Sequence, residues 1–280
     1  MDFQFKSISV EKEHIGIAFC DSKLRLLGYA KKLDQLSKKH ISSQLKSDLS
    51  FLNRKSKQFD YCVIHNPDNL KLSKLYIFKL KDYNNYSIRD FQILGGHLRS
   101  LISFYQEDKV GIYPDGIISK KVSFINGISE MLIGSLLASY KFNKYKKINN
   151  KDNKIKKPSR VKIYSSSYSR LEKNYINVEA VSEGTALTRN LVTEPPNVMT
   201  PPEIAKNAES LEKIGIKVTV LGEKEMTKLG MGSLLSVGRA SEYESKLAIM
   251  EWKGHKNKKK KPIAFIGKGV SFDTGGVSLK

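Results

Sequence analysis

Cysteine is scarce in this chain: Cys20 and Cys62 are the only two among 280 residues. That count excludes a small domain stapled by several disulfides, and a Cys-rich metal cluster with it. Each cysteine lies in an apolar, strand-like context, after Ile15-Gly16-Ile17-Ala18-Phe19 and before Val63-Ile64. Two buried thiols outside any disulfide are expected. Long apolar runs are missing too. The most apolar helical stretch, Ile128 to Tyr140, contains Glu130 and falls short of the ~20 residues that span a bilayer. The opening Met1-Asp2-Phe3-Gln4-Phe5-Lys6 has no apolar leader region, so a cytoplasmic protein without a membrane partner is expected.

Acidic residues are outnumbered, 28 against 49 Lys and Arg, for a formal charge of +21. The densest lysine runs are Lys144-Tyr145-Lys146-Lys147 through Lys156-Lys157, and Lys256-Asn257-Lys258-Lys259-Lys260-Lys261. Clustered cations gain affinity for phosphate backbones by releasing counterions. Neither run carries the several interleaved aromatics of a stacking platform, so solvated loops with weak, non-specific nucleic-acid binding are expected. Histidine is sparse: His14, His40, His65, His97 and His255 show no HExxH spacing, which argues against a single-zinc protease. Gly267-Lys268-Gly269 lacks the remaining residues of a Walker A loop, and Phe272 stands where GxGxxG needs its third glycine.

Hydrophobic residues make up 40% of the chain, enough for a real core. Residues 1–142 alternate strand-like and helix-like patterns. Strands are predicted at 14–20, 61–65, 75–80 and 110–113, and helices at 33–49, 88–104 and 118–140. Alternation of this kind indicates an α/β layer domain. The Lys/Asn-rich stretch 143–162 is the predicted linker, and 163–280 a second domain. There, 163–168 is Ser-rich and indefinite, and 175–192 reads as a helix stopped by Pro195-Pro196. Thr200-Pro201-Pro202-Glu203 reads as a capping box opening a helix that ends at Gly215. Short strands are predicted at 217–221, 247–252 and 263–266. The last two are near-continuous apolar runs, expected to be covered on both faces.

The final stretch is the most informative. Gly267-Lys268-Gly269-Val270-Ser271-Phe272-Asp273-Thr274-Gly275-Gly276-Val277-Ser278-Leu279-Lys280 follows the apolar run and holds two lysines, one carboxylate and four glycines. A buried strand handing polar residues to a cleft at its C-terminal end has this pattern. On composition alone Lys268 is a solvated loop charge, Asp273 a turn cap and Lys280 a strand-end cation.

This stretch resembles the metal-binding signature of the leucyl (cytosol) aminopeptidases. Thr188-Arg189-Asn190-Leu191-Val192-Thr193-Glu194-Pro195-Pro196-Asn197-Val198-Met199-Thr200-Pro201 is similar to the segment that enters their catalytic domain. Leu229-Gly230-Met231-Gly232 through Val237-Gly238-Arg239-Ala240-Ser241 resembles their next block, and Leu132-Ile133-Gly134-Ser135 with Tyr140-Lys141-Phe142 the end of their N-terminal domain. The chain departs at Asn190 and Ala240, where the family usually has Asp and Gly. The resemblance implies an N-terminal α/β (macro-like) domain followed by the start of a mixed-sheet α/β metallopeptidase domain. It implies a two-metal aminopeptidase releasing leucine and other residues from peptides with a free N-terminus, assembled as a hexamer. Lys268 and Asp273 would ligate two divalent ions, Mn²⁺ or Zn²⁺, and Lys280 would be catalytic, on the substrate carbonyl. The family's other ligands and its arginine have no counterpart here. Rival expectations are an inactive fragment or pseudoenzyme, and a basic nucleic-acid-binding module.

Overall fold

A computed structural model describes residues 2–9, 15–48, 59–104, 109–147, 160–257 and 259–271. It divides into two compact units, Met1–Leu187 and Thr188–Lys280.

The first unit is built on a six-stranded sheet. Its strands are β1 (Asp2–Lys6), β2 (Ile15–Asp21), β3 (Phe59–His65), β4 (Lys74–Leu80), β5 (Lys109–Ile112) and β6 (Arg160–Tyr164). Their order is β1-β6-β5-β2-β4-β3, parallel throughout except for the antiparallel pair β3 and β4. Helices among the described residues are α1 (Ala30–Leu36), α2 (His40–Ser47), α3 (Ile88–Phe104), α4 (Phe124–Ser139) and α5 (Tyr168–Thr193). The α/β layers expected from the alternation are present.

Side-chain alternation explains the layers. Ile15, Ile17 and Phe19 of β2, with Tyr76, Phe78 and Leu80 of β4, pack with Phe91, Leu94 and Leu98 of α3 and Ile128, Met131 and Leu132 of α4. The intervening Ala18, Cys20, Leu75 and Ile77 pack with Leu33, Ile41 and Leu45 of α1 and α2. Both faces are covered, so β2 is buried at every position, and its sequence reads as a continuous apolar run. Both cysteines are buried thiols outside any disulfide, as expected. Burial, its first cause, pushes the Cys20 thiol up to about 12. A thiol so held in its neutral form is a poor nucleophile.

The differences from expectation have local causes. The single helix expected at 33–49 is two, because Lys38 and Lys39 take positive φ values of 52° and 64° between them. Asp34 accepts Ser42 N–H at 2.8 Å across that break. The expected linker does not separate the two units: its end is β6, which enters the large sheet between β1 and β5. Residues 148–159 of that stretch lie outside the described residues. The helix expected at 175 begins at Tyr168 as α5. Leu171 and Val178 of α5 join the first unit's core, and Tyr175 packs on Phe3 and Phe5 of β1 with ring centroids 6.1 and 5.3 Å apart. The unit boundary therefore falls within α5, after Leu187, rather than at 143–162.

The second unit holds α6 (Pro201–Glu209), β7 (Lys217–Leu221), α7 (Glu223–Lys228), α8 (Gly232–Gly238) and β8 (Leu247–Glu251). Pro201 and Pro202 open α6, where a missing N–H costs nothing. The predicted capping box does not form: the Thr200 hydroxyl makes no capping bond. The Glu203 carboxylate instead lies 3.8 Å from Lys206 Nζ. After a 3₁₀ turn, Gly215 ends the helical segment at φ 87°, a conformation costly for any residue with a Cβ. Strands β7 and β8 pair antiparallel, and Lys217 lies 3.4 Å from Glu251 across them. The hydrogen bond from Lys217 leads the causes that hold the Glu251 carboxyl below its usual range.

Two strand expectations change here. β8 is not covered on both faces: Ile249 is 42% exposed and Met250 54%. Residues 263–266 form no strand, and Ile263, Phe265 and Ile266 are exposed. A strand exists only through its ladder, and among the described residues this unit's ladder is β7 with β8 alone.

Candidate functional site

The residues picked out by their motif fare unequally. Lys268 is exposed, in a segment without regular structure. A Cβ built on Gly267 or Gly269 would meet no atom within 4 Å, so these glycines make no close approach among the described residues. Asp273 and Lys280 lie outside the described residues. Of the three, Lys268 alone lies among the described residues. Among the described residues no three His, Cys, Asp or Glu side chains are grouped so as to hold a metal ion.

The block upstream of the motif is better ordered. The N–H of Glu223, at the start of α7, donates to Glu244 at 2.9 Å, and Ser245 N–H returns a bond to Glu223 Oε1 at 2.9 Å. Lys246 pairs with Glu244 and, as the leading cause, holds that carboxyl below its usual range. These bonds tie the chain entering β8 to α7. They leave the carboxylates engaged with the protein's own donors.

In the first unit, Asp115 was not singled out by its sequence context. Its carboxylate accepts the Ser165 hydroxyl at 2.5 Å, Ser166 N–H at 2.9 Å and the Ser166 hydroxyl at 2.8 Å. It thereby organises the turn that starts α5. A serine run before a helical pattern is the available signal, since serine hydroxyls favour helix starts; its acceptor lies 50 residues upstream and carries none. A cleft of about 300 Å³ lies between the first turns of α4 and the middle of α5, lined by Lys121, Asn126, Glu130, Asn174 and Asn177 among others. Its polar groups largely bond one another: Asn174 donates to Ser129 at 2.7 Å and Asn177 to Asn174 at 2.9 Å.

A family model described as cytosol aminopeptidase family, catalytic domain, matches residues 186–280. Residues 186–280 belong to that family. A probable cytosol aminopeptidase of Brucella anthropi is 47% identical over 154 residues, covering 54% of this chain and 31% of the relative. A probable cytosol aminopeptidase of Rhizobium leguminosarum bv. trifolii is 37% identical over 215 residues, covering 76% of this chain and 42% of the relative. The second match is longer than the family segment, so the likeness reaches into the first unit. The chain spans roughly a third to two fifths of the length of these cytosol aminopeptidases.

Among solved structures, a mutant tomato leucine aminopeptidase superposes with a TM-score of 0.73 at 19% identity, covering 99% of this chain and 55% of that one. A bottromycin maturation enzyme in complex with Mn gives 0.60 at 12% identity, covering 85% and 45%. At such identities the likeness establishes the fold. The α/β architecture expected from the cytosol aminopeptidase signature is therefore supported by sequence and fold separately.

Proposed function

We propose that this chain belongs to a two-metal aminopeptidase that releases leucine and other N-terminal residues from peptides with a free N-terminus. The observation that carries this reading is the stretch from Gly267 to Lys280 inside the matched segment 186–280. In this reading Lys268 and Asp273 ligate Mn²⁺ or Zn²⁺. Lys280 stabilises charge developing on the substrate's carbonyl oxygen. The family's name supports a cytoplasmic site of action. Assembly as a hexamer is part of the same proposal.

The residues do not by themselves fit a metal centre. Lys268 and Asp273 offer one amine and one carboxylate, whereas a zinc site takes about four ligands. A protonated lysine also repels a dication. The 280-residue chain alone is expected to bind Mn²⁺ and Zn²⁺ weakly and to leave leucine amide intact, the outcome that the fragment reading shares. The same chain continued through the family's full catalytic domain is expected to hydrolyse leucine amide, and to lose that activity to a chelator. Calorimetric titration with each ion and a leucine-amide assay on both forms make the test. Chelator-resistant hydrolysis would overturn the metal reading, and an inactive continued chain would favour the pseudoenzyme.

A second reading rests on exposed lysines. Lys144, Lys146 and Lys147 are exposed, as are Lys259, Lys260 and Lys261. Tyr145 is 56% exposed beside Phe142, with Lys144 Nζ 5.4 Å from its ring centroid. Each group of lysines offers phosphate contacts without base readout. Filter binding is expected to show weak affinity for any DNA sequence, falling about 10-fold or more between 50 and 200 mM salt, as multiple phosphate contacts require. A sequence preference that survives high salt would make nucleic-acid binding the leading function.

A further inference from the structure

The cleft between α4 and α5 is lined by one cation, Lys121, and one anion, Glu130, together with the carboxamides of Asn126, Asn174 and Asn177. Ile133 and Val178 line it too, and both belong to the first unit's core. Its volume of about 300 Å³ stands at the lower end of the range for small-molecule sites, about 300–1,000 Å³.

The neutral groups are largely committed, and the two charges are not. Asn177 donates to Asn174 at 2.9 Å and Asn174 to Ser129 at 2.7 Å, a relay that ties α5 to α4. Glu130 gives one oxygen, Oε2, to the neutral Gln92 at 2.7 Å and keeps its charge. Lys121 acts from a distance on Asp90, whose carboxylate already accepts the Ser87 N–H at 2.8 Å and the Ser87 hydroxyl at 2.7 Å. Among the described residues Lys121 and Glu130 form no ion pair, with each other or with a third group. Opposite charges set in one cleft without pairing suit a ligand that carries both complements.

Helix geometry sets the spacing of the two ends. Lys121 precedes Phe124, the first residue of α4, by three positions, so it stands at the positive end of a 16-residue helix dipole. Glu130 lies six residues beyond Phe124, about 9 Å along the axis at 1.5 Å per residue. Charge-assisted bonds of about 2.8 Å at each end leave roughly 3–4 Å between the anionic and cationic groups of one ligand. An α-amino acid carries its carboxylate and ammonium on one carbon and fits that interval. A dipeptide, with a peptide unit between them, is too long.

We propose that this cleft binds a free aliphatic α-amino acid. Lys121 and the first turn of α4 hold its carboxylate, Glu130 holds its ammonium, and its side chain rests against Ile133 and Val178. The site lies within the first unit and uses none of Lys268, Asp273 and Lys280.

Calorimetric titration of the 280-residue chain with L-leucine tests this, beside isocaproate, which lacks the ammonium, and leucinol, which lacks the carboxylate. One leucine is expected to bind per chain, and each analogue about 10–100-fold more weakly, the loss of one bond to a charged group. Glu130→Gln, which can still bond Gln92, is expected to bind leucine no better than isocaproate. Lys121→Met, a change at an exposed position, is expected to bind leucine no better than leucinol. It keeps the test open should Glu130→Gln fail to fold. In the parent, leucine is expected to shift the side-chain amide resonances of Asn174 and Asn177, which separates this cleft from the aminopeptidase motif. Absence of saturable leucine binding overturns the proposal, as does leucine binding that leaves both resonances unmoved. Equal affinity for the three compounds, parental discrimination in the variants, or tighter binding of leucylglycine than of leucine would overturn it too.

Discussion

In a chain continued through the family's catalytic domain, Asp273→Ala is expected to abolish leucine-amide hydrolysis while leaving the protein folded. The expectation rests on the proposed ligand role of Asp273. Even the outer partners of metal ligands are worth about 10–100-fold in metal affinity or activity, so a direct ligand should cost more than about 100-fold. The loss should appear in kcat, and the calorimetric stoichiometry of Mn²⁺ or Zn²⁺ should fall together with it. Circular dichroism of the variant reads folding separately, so that a loss of turnover is compared at constant fold. Unchanged turnover and unchanged metal stoichiometry in Asp273→Ala would remove the residue from the site. Loss of turnover with stoichiometry intact would instead give it a role on the substrate.

The sequence made the middle of the first unit legible. Where a strand or helix presents a long apolar face, as in Ile15 to Cys20 or along Phe91, Leu94, Leu98 and Leu101, period alone locates it. The edges were harder to read. Phe3 and Phe5 of β1 alternate over only five residues, too few to separate from chance. The strand β6 follows a Lys/Asn-rich stretch, whose composition hides it, and its place between β1 and β5 is a long-range choice that local pattern does not encode. The start of α5 depends on Asp115, distant in sequence. In the second unit, apolar character at 263–266 was read as burial, but burial needs a neighbour, and none is present among the described residues. The motif was legible by resemblance alone: an exposed lysine between glycines has no local property that distinguishes a ligand from a loop charge.

Two adjacent glycines in α3 should respond with opposite sign to the same substitution. A Cβ on Gly95 would lie 1.8 Å from the carbonyl oxygen of Met131, and one on Gly134 would lie 2.0 Å from that of Gln92. Helices α3 and α4 therefore touch backbone to backbone at two reciprocal points. Ser135 reinforces the contact, its hydroxyl donating to the Gly95 carbonyl at 2.8 Å. No rotamer change relieves a clash with backbone, so the helices must part. Leu94, Leu98, Met131 and Leu132 beside the contact would lose packing. Overpacking of this kind costs about 1–3 kcal/mol and at a backbone contact should exceed it. The gain in helix propensity from Gly to Ala, about 1 kcal/mol, is too small to offset that. Gly96 is the control. Its added Cβ would meet only the Cβ of Ala138, at 3.9 Å, an ordinary contact. Gly96→Ala should therefore keep the propensity gain and raise the urea midpoint, while Gly95→Ala lowers it sharply. A Gly95→Ala chain that unfolds at or above the parental midpoint would show that α3 and α4 are not held this close. Equal shifts in both variants would show that backbone entropy outweighs the contact.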